Sequence, residues 1–214
     1  MDCWKSINSS AYESYMSSQA TDIQAAVEQG TEESPFPQET SDPVSEKQAH
    51  PATEGSGKKL KEVALDVRFP SEPEKIFNLL YKDEGFMQSL CDGQQLTEYK
   101  VTKPWTADPS SGHEVREYKY TKPLSGSVGP SSAICYITDE IQAKDPEKAF
   151  EVYSVTKTPD VPSGGSFEVQ TRTCLSWAGG SKGGVRMLVT TECVWSGRSM
   201  IKGASLESFL VKVV

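Results

Sequence analysis

Histidine is scarce here: the 214 residues hold two, His50 and His113. Imidazole is the usual acid–base group at neutral pH, so its scarcity leaves little for proton-transfer catalysis. His113 would need a placed nucleophile and an orienting partner, and no such pattern accompanies it. Cysteine is sparse and odd in number, with five residues, wide spacings and no CxxC. That excludes a disulfide framework and a cysteine zinc site, and leaves buried reduced thiols. No basic segment leads into an apolar one at the start, so no secretory signal is read. No apolar run approaches the roughly 20 residues that span a bilayer, and the chain reads as soluble. Positive charge is also short: 22 basic residues face 30 acidic ones, a net of −8. A nucleic-acid binder needs a basic field for phosphate contacts, so that class is set aside. The sequon Asn8-Ser9-Ser10 carries no weight without a secretory signal.

What is present divides in two. Residues 1–58 contain ten acidic and three basic residues, a net of −7, whereas residues 59–214 contain twenty and nineteen, a net of −1. The first part is rich in Ser, Gln, Glu and Pro, as in TEESPFPQETSDPVSEKQAHPATEGSGKK. Such a composition buries too little apolar surface to offset chain entropy, so 1–58 is expected to be a disordered acidic tail or linker. Ile23 to Val27 has the makings of a weak helix.

Order is expected from about residue 59. VALDVRF (63–69) alternates and reads as a strand. Ser71-Glu-Pro-Glu74 resembles a capping box ahead of a helix carrying Ile76, Phe77, Leu79 and Leu80. Gly85 is read as the break before a second short helix over FMQSL. Six strands follow, over 97–105, 113–122, 133–143, 149–158, 167–177 and 185–195, separated by turn-forming stretches such as TADPSSG and AGGSKGG. The last two alternate most cleanly, as expected for an antiparallel sheet with one covered face. Leu206, Phe209, Leu210 and Val213 fall at helical spacing and predict a closing helix. The fold class is α+β: a curved antiparallel sheet wrapped around a C-terminal helix, with two short helices after the first strand.

Chemical motifs are few. GGSKGG lacks the phosphate-loop pattern and joins two strands, so it reads as a hairpin loop. Asp139 and Glu140 are neighbours on a strand and must face opposite sides. No cluster has metal-ligand spacing. The apolar sheet face remains, and periodicity allows either an ordinary packed core or a cavity for an apolar ligand.

Three stretches bear on that choice: YTKPLSGSVGP (120–130), TKTPDVPSGGSFEVQTR (156–172) and CVWSGRSMIKG (193–203). In this order they resemble the VASt domain, the StART-like module of fungal LAM sterol transporters, related to animal Aster proteins. The similarity covers about residues 60–210. The resemblance implies a helix-grip fold around a hydrophobic pocket. It implies a non-enzymatic protein, with no cofactor and no metal, that carries an ergosterol-like sterol between membranes at endoplasmic reticulum–plasma membrane contacts. A monomer is expected. A lipid sensor or partner-binding module on the same fold is the alternative, while a helix-grip enzyme is opposed by the shortage of histidine.

In the implied pocket, Tyr120, Val152, Phe167, Val169, Met187 and Val189 would line the wall, with Ile201, Leu206 and Phe209 from the closing helix. Thr171, Thr173, Thr191, Ser154 and Tyr136 are the candidates to meet the sterol hydroxyl. The segment Pro123, Leu124, Gly126, Val128, Gly129 and Pro130 joins mobility to two apolar side chains, Leu124 and Val128, and is assigned as a lid. Lys103, Lys119, Lys122 and Lys202 would face anionic headgroups, or else sit as solvated lysines on a strand face. Hiding about 500 Å² of sterol is worth about 12 kcal/mol, which the bilayer matches, so transfer can be nearly balanced. Family members also carry a GRAM domain and a transmembrane anchor that are not seen in this sequence. The stretch from Ser199 to Val214 gives a helix of roughly 22 Å, shorter than the family's.

Overall fold

The computed structural model describes residues 50–124, 130–179 and 183–196. Among them are seven strands and two α-helices. The strands are β1 (Glu62–Phe69), β2 (Thr97–Ala107), β3 (Glu114–Pro123), β4 (Ser132–Asp145), β5 (Ala149–Lys157), β6 (Phe167–Trp177) and β7 (Val185–Trp195). The helices α1 (Pro73–Tyr81) and α2 (Glu84–Gly93) lie between β1 and β2, and a 3₁₀ turn spans Gly164–Ser166. The expected strand segments are recovered to within a few residues. The closing helix, with Ile201, Lys202, Leu206 and Phe209, lies outside the described residues.

All strands pair antiparallel in the order β1-β7-β6-β5-β4-β3-β2. Strands β2 to β7 follow one another as hairpins. Only β1 breaks the sequence by pairing with β7 at the far edge. The two helices therefore carry the chain from one sheet edge to the other. They cross a single face, which we call inner, and α1 packs there on β5 and β6. The Phe77 ring stacks 4.8 Å from that of Phe150 and is fully buried. Register shifts interrupt the β1–β7, β2–β3 and β4–β5 pairs. Such bulges add local twist and let an open sheet curve.

Helix boundaries correct two expectations. Ser71 does not cap α1; its N–H instead donates to Phe69 O at 2.9 Å. The helix starts at Pro73, whose fixed φ and missing N–H suit a first position, with Glu72 as an N-cap whose carboxylate makes no capping bond and instead accepts from Lys75 Nζ at 3.1 Å. Gly85 does not separate the helices but sits inside α2. There Asp83 is the N-cap, and its Oδ1 accepts from Phe86 N–H at 2.8 Å.

Order also begins earlier than residue 59. Residues 50–53 meet the end of β6, and Gly55 and Ser56 lie over the outer face of the sheet. Thr53 N–H donates to Trp177 O, and Thr53 Oγ1 accepts from Trp177 N–H, both at 3.0 Å. The His50 ring stacks on Trp177 at 4.2 Å. A Cβ at Gly55 would fall 1.9 Å from Glu151 Oε1, so only glycine lets this strap lie so close. Beneath it, Glu151 and Arg172 form a buried ion pair, with Arg172 Nη1 also donating to Gln142 Oε1 at 2.8 Å. Ser56 N–H donates to Glu151. Residues 50–56, expected within the tail, are thus packed against the sheet. Residues 1–49 lie outside the described residues.

Candidate lipid-binding face

Cross-strand register places the inner face residue by residue. Val152 stands opposite Thr173, Ser154 opposite Thr171, and Thr156 opposite Val169. Thr171 continues to Thr191, Thr173 to Val189, and Leu175 to Met187. Partners directly opposite share a face, so Val152, Ser154, Val169, Thr171, Met187, Val189 and Thr191 are brought together as expected. Val152, Val169, Val189 and Thr191 are buried there. The hydroxyl candidates differ in commitment. Ser154 donates to Asp139 Oδ1 at 2.6 Å, and Thr191 donates to Gln170 O at 3.0 Å. Thr171 is half-buried.

Tyr136 does not belong to this group. It lies on the outer face and is 44% exposed. Its strand neighbours Cys135 and Ile137 take the inner positions, and alternation sends Tyr136 the other way. Lys122 is the opposite correction. It pairs with Ala133, next to the Tyr120–Cys135 pair, and so takes an inner position. Burial there lowers its pKa, opposed by the Cys135 thiol. Burial pushes the Cys135 thiol up to about 11. Lys103 and Lys119 do lie on the outer face, opposite Glu117 and Tyr136 respectively.

At the rim, Ala133, Val161, Phe167 and Val169 form a buried cluster, with Leu124, Cys193 and Trp195 packed against it. Leu124 N–H donates to Ser131 O at 2.8 Å, which closes the base of the β3–β4 loop. Leu124 therefore anchors that loop to the core. Gly126, Val128 and Gly129 lie outside the described residues, while Pro123 and Pro130 flank them and are exposed.

The inner face also holds groups that sequence reasoning missed. Arg116 stands directly opposite Asp139. Its Nε and Nη2 both donate to Asp139 Oδ2, at 3.1 and 2.6 Å, and its Nη1 donates to Tyr81 O at 3.0 Å. The guanidinium also lies 4.8 Å from the ring centres of Trp105 and Tyr118. Burial pushes the Asp139 carboxyl above its usual range, with Arg116 and Ser154 pulling it back. Tyr99, Tyr118 and Tyr120 continue this wall, and burial raises all three phenols. The available signal was the odd-even pattern of β3, which puts Arg116, Tyr118, Tyr120 and Lys122 on one side. Near the rim, Trp195 Nε1 and Thr158 Oγ1 are buried without a hydrogen-bond partner among the described residues. Among the described residues, no group of acidic, His or Cys side chains could hold a metal.

The inner face is thus half apolar and hydroxyl-bearing (β5–β7) and half aromatic and charged (β2–β4). Residues 63–205 match the model of the VASt family, the VAD1 analog of StAR-related lipid transfer domain. The chain belongs to this family. The chain is 34% identical over 163 residues to an uncharacterized membrane protein of Schizosaccharomyces pombe, covering 75% of this chain and 20% of that protein. It is 35% identical over 144 residues to the membrane-anchored lipid-binding protein LAM5 of Saccharomyces cerevisiae, covering 66% of this chain and 21% of LAM5. The chain thus spans about a fifth of the length of these relatives. The crystal structure of the Mll3558 protein of Rhizobium loti aligns over 69% of this chain and 93% of that one, at 13% identity and a TM-score of 0.37. That likeness is too low to bear on the fold. Among the described residues, no helix is long and apolar enough to cross a membrane.

Proposed function

We propose that this VASt domain binds a sterol-like lipid against its inner face and transfers it between membranes without covalent chemistry. The observation that carries the reading is the register that gathers Val152, Val169 and Val189 with Thr171 and Thr191 on one buried face. LAM5, named as a membrane-anchored lipid-binding protein, supports lipid as the ligand class. A rigid sterol presents a large apolar surface and one hydroxyl. The apolar half of the face matches the first, and burial of roughly 500 Å² offsets the loss of bilayer contact. For the hydroxyl, the buried Trp195 Nε1–H without a partner is the group with most to gain, because an unmet buried donor costs about 1–3 kcal/mol. Thr171 is the other partner. In the setting of membrane-anchored relatives, such a domain would serve closely apposed membranes, such as endoplasmic reticulum and plasma membrane.

The β3–β4 loop is proposed as the lid, with Leu124 as its anchored foot and Val128 as its second apolar side chain. This alters how the lid is tested. Leu124→Asp would disturb the rim cluster, so Val128→Asp is the cleaner change. The deciding experiment follows a fluorescent sterol between donor and acceptor liposomes. Transfer above the protein-free rate is expected, slowed by Val128→Asp. A folded protein that gives no transfer sinks the reading, and saturable binding without transfer replaces it with a lipid sensor.

A further inference from the structure

A cleft of about 500 Å³ opens at the rim of the sheet, lined by Tyr136, Lys157, Pro159, Gly164, Gly165, Phe167, Glu168, Val194 and Ser196. Register shows which face it occupies. Tyr136 stands directly opposite Lys157, and Glu168 opposite Val194. These four side chains therefore project from adjacent strands on the outer face, away from the lipid-binding side. Tyr136 is the largest exposed apolar surface of this region. Lys157 Nζ lies 3.8 Å from Glu168 Oε2, with the two side chains 64% and 29% exposed. That is a loose, solvated ion pair.

We propose that this cleft binds the zwitterionic phosphocholine head of a phospholipid. Phosphocholine carries a phosphate and a quaternary ammonium close together. Lys157 supplies a cation for the phosphate. The Glu168 carboxylate and the face of the Tyr136 ring attract the ammonium, which aromatic faces favour. A zwitterion inserted between Lys157 and Glu168 exchanges one loose ion pair for two complementary ones. A head of single charge would satisfy one of them and repel the other. Two further lysines extend the cation supply. Lys119 stands opposite Tyr136, and Lys100 opposite Lys119. Like charges facing each other across a strand pair are unfavourable, so this row gains from a phosphate-bearing surface. Phe167 joins the two sides of the sheet, since it lines the cleft and also belongs to the cluster that anchors Leu124. A headgroup seated here would hold the rim, and with it the base of the β3–β4 loop, at the bilayer surface. The site does not depend on the sterol reading.

Membrane lipid and free phosphocholine share this chemistry, and the test separates them. The full chain is titrated with phosphocholine and with dihexanoylphosphatidylcholine below its micellar concentration, followed by NMR chemical shifts. Saturable binding of both is expected. Tyr136→Ala and Lys157→Ala should each weaken it several-fold while leaving the thermal melt unchanged, as both side chains are exposed. Dihexanoylphosphatidylglycerol, which lacks the ammonium, should bind more weakly. Absence of saturable binding, indifference to both substitutions, or equal affinity for the glycerol head overturns the proposal. Partition onto phosphatidylcholine vesicles that falls with Tyr136→Ala assigns the site to the bilayer. Binding of the soluble head with no such fall overturns the bilayer role. Sterol loading, measured on the same variants, should be unchanged. A protein that loads no sterol yet keeps headgroup binding fails only the transfer reading.

Discussion

Two buried ion pairs sit on opposite faces of one sheet and are covered in different ways. Arg116–Asp139 lies on the inner face, under Tyr81 of α1 and the rings of Trp105 and Tyr118. Its cover is the core of the fold. Glu151–Arg172 lies on the outer face, and its cover is the strap around Gly55 and Ser56. The strap precedes the family match, which starts at residue 63. The inner pair is thus buried by the family domain itself, and the outer pair by a segment that precedes the family match. A buried pair rarely adds net stability, but losing one partner strands a charge. The two pairs should therefore fail differently.

The largest effect is expected from Arg116→Met. It leaves Asp139 buried and unpaired, at a cost of about 3–5 kcal/mol by urea unfolding. Adding Asp139→Leu should recover most of that, and no recovery would show that the guanidinium matters through its stacking on Trp105 and Tyr118. Gly55→Val comes next. The new side chain cannot fit over Glu151, so the strap should lift, costing about 1–3 kcal/mol. Faster proteolysis confined to 50–58 is the expected sign. Global loss of the sheet would mean the strap is no separable cover.

Trp195→Phe probes a third buried polar group, one that lacks a partner among the described residues. Removing the orphan N–H offsets part of the packing lost on Phe167, so the ligand-free protein should be destabilised by no more than about 1 kcal/mol. Binding of a hydroxylated sterol should weaken, while a sterol lacking the hydroxyl binds as before. Equal weakening for both sterols would show that the ring acts through its packing on Phe167 and not through its N–H.

The smallest effect contrasts carboxylates of opposite shift. The Asp139 pKa is raised by burial, so its share of stability is full below the unfolded carboxylate pKa and lost as pH rises through the folded value. Asp66 is lowered, chiefly by its hydrogen bonds from Arg186. Its share is present above the unfolded pKa and lost as pH falls through the folded one. Asp66→Asn should cost no more than about 0.5 kcal/mol at neutral pH, since the pair is solvent-exposed. Unfolding curves of this variant against pH should be flatter on the acid side than those of the parent, and an unchanged acid slope would remove the Asp66 contribution.

Strands and faces were legible because a half-buried strand alternates with period two. Phe167 to Trp177 and Val185 to Trp195 show it most clearly, and they hold most of the candidate wall. The outward position of Tyr136 was equally open to reading, since Ala133, Cys135, Ile137 and Ile141 alternate around it. The hydroxyl-only criterion that put it among the ligand residues ignored that pattern. Other features were hidden. Nothing local marks Arg116 and Asp139 as partners, because their meeting depends on the β3–β4 register. The strap over 50–56, HPATEGS, is short, largely polar and without a period, so it reads as linker until the surface that receives it is known.

By itself, the sequence determined the strands, the helices between the first two, which side chains of a strand share a face and the family to which the domain belongs. Those follow from local periodicity and from motifs in order. The tertiary structure decided what covers each face. It set Arg116 against Asp139, turned Lys122 inward, seated Leu124 in the rim cluster and brought residues 50–56 onto Glu151 and Arg172. Each of these needs two segments distant in sequence to arrive at one place, and that arrival is a property of sheet register and curvature rather than of any single stretch of chain.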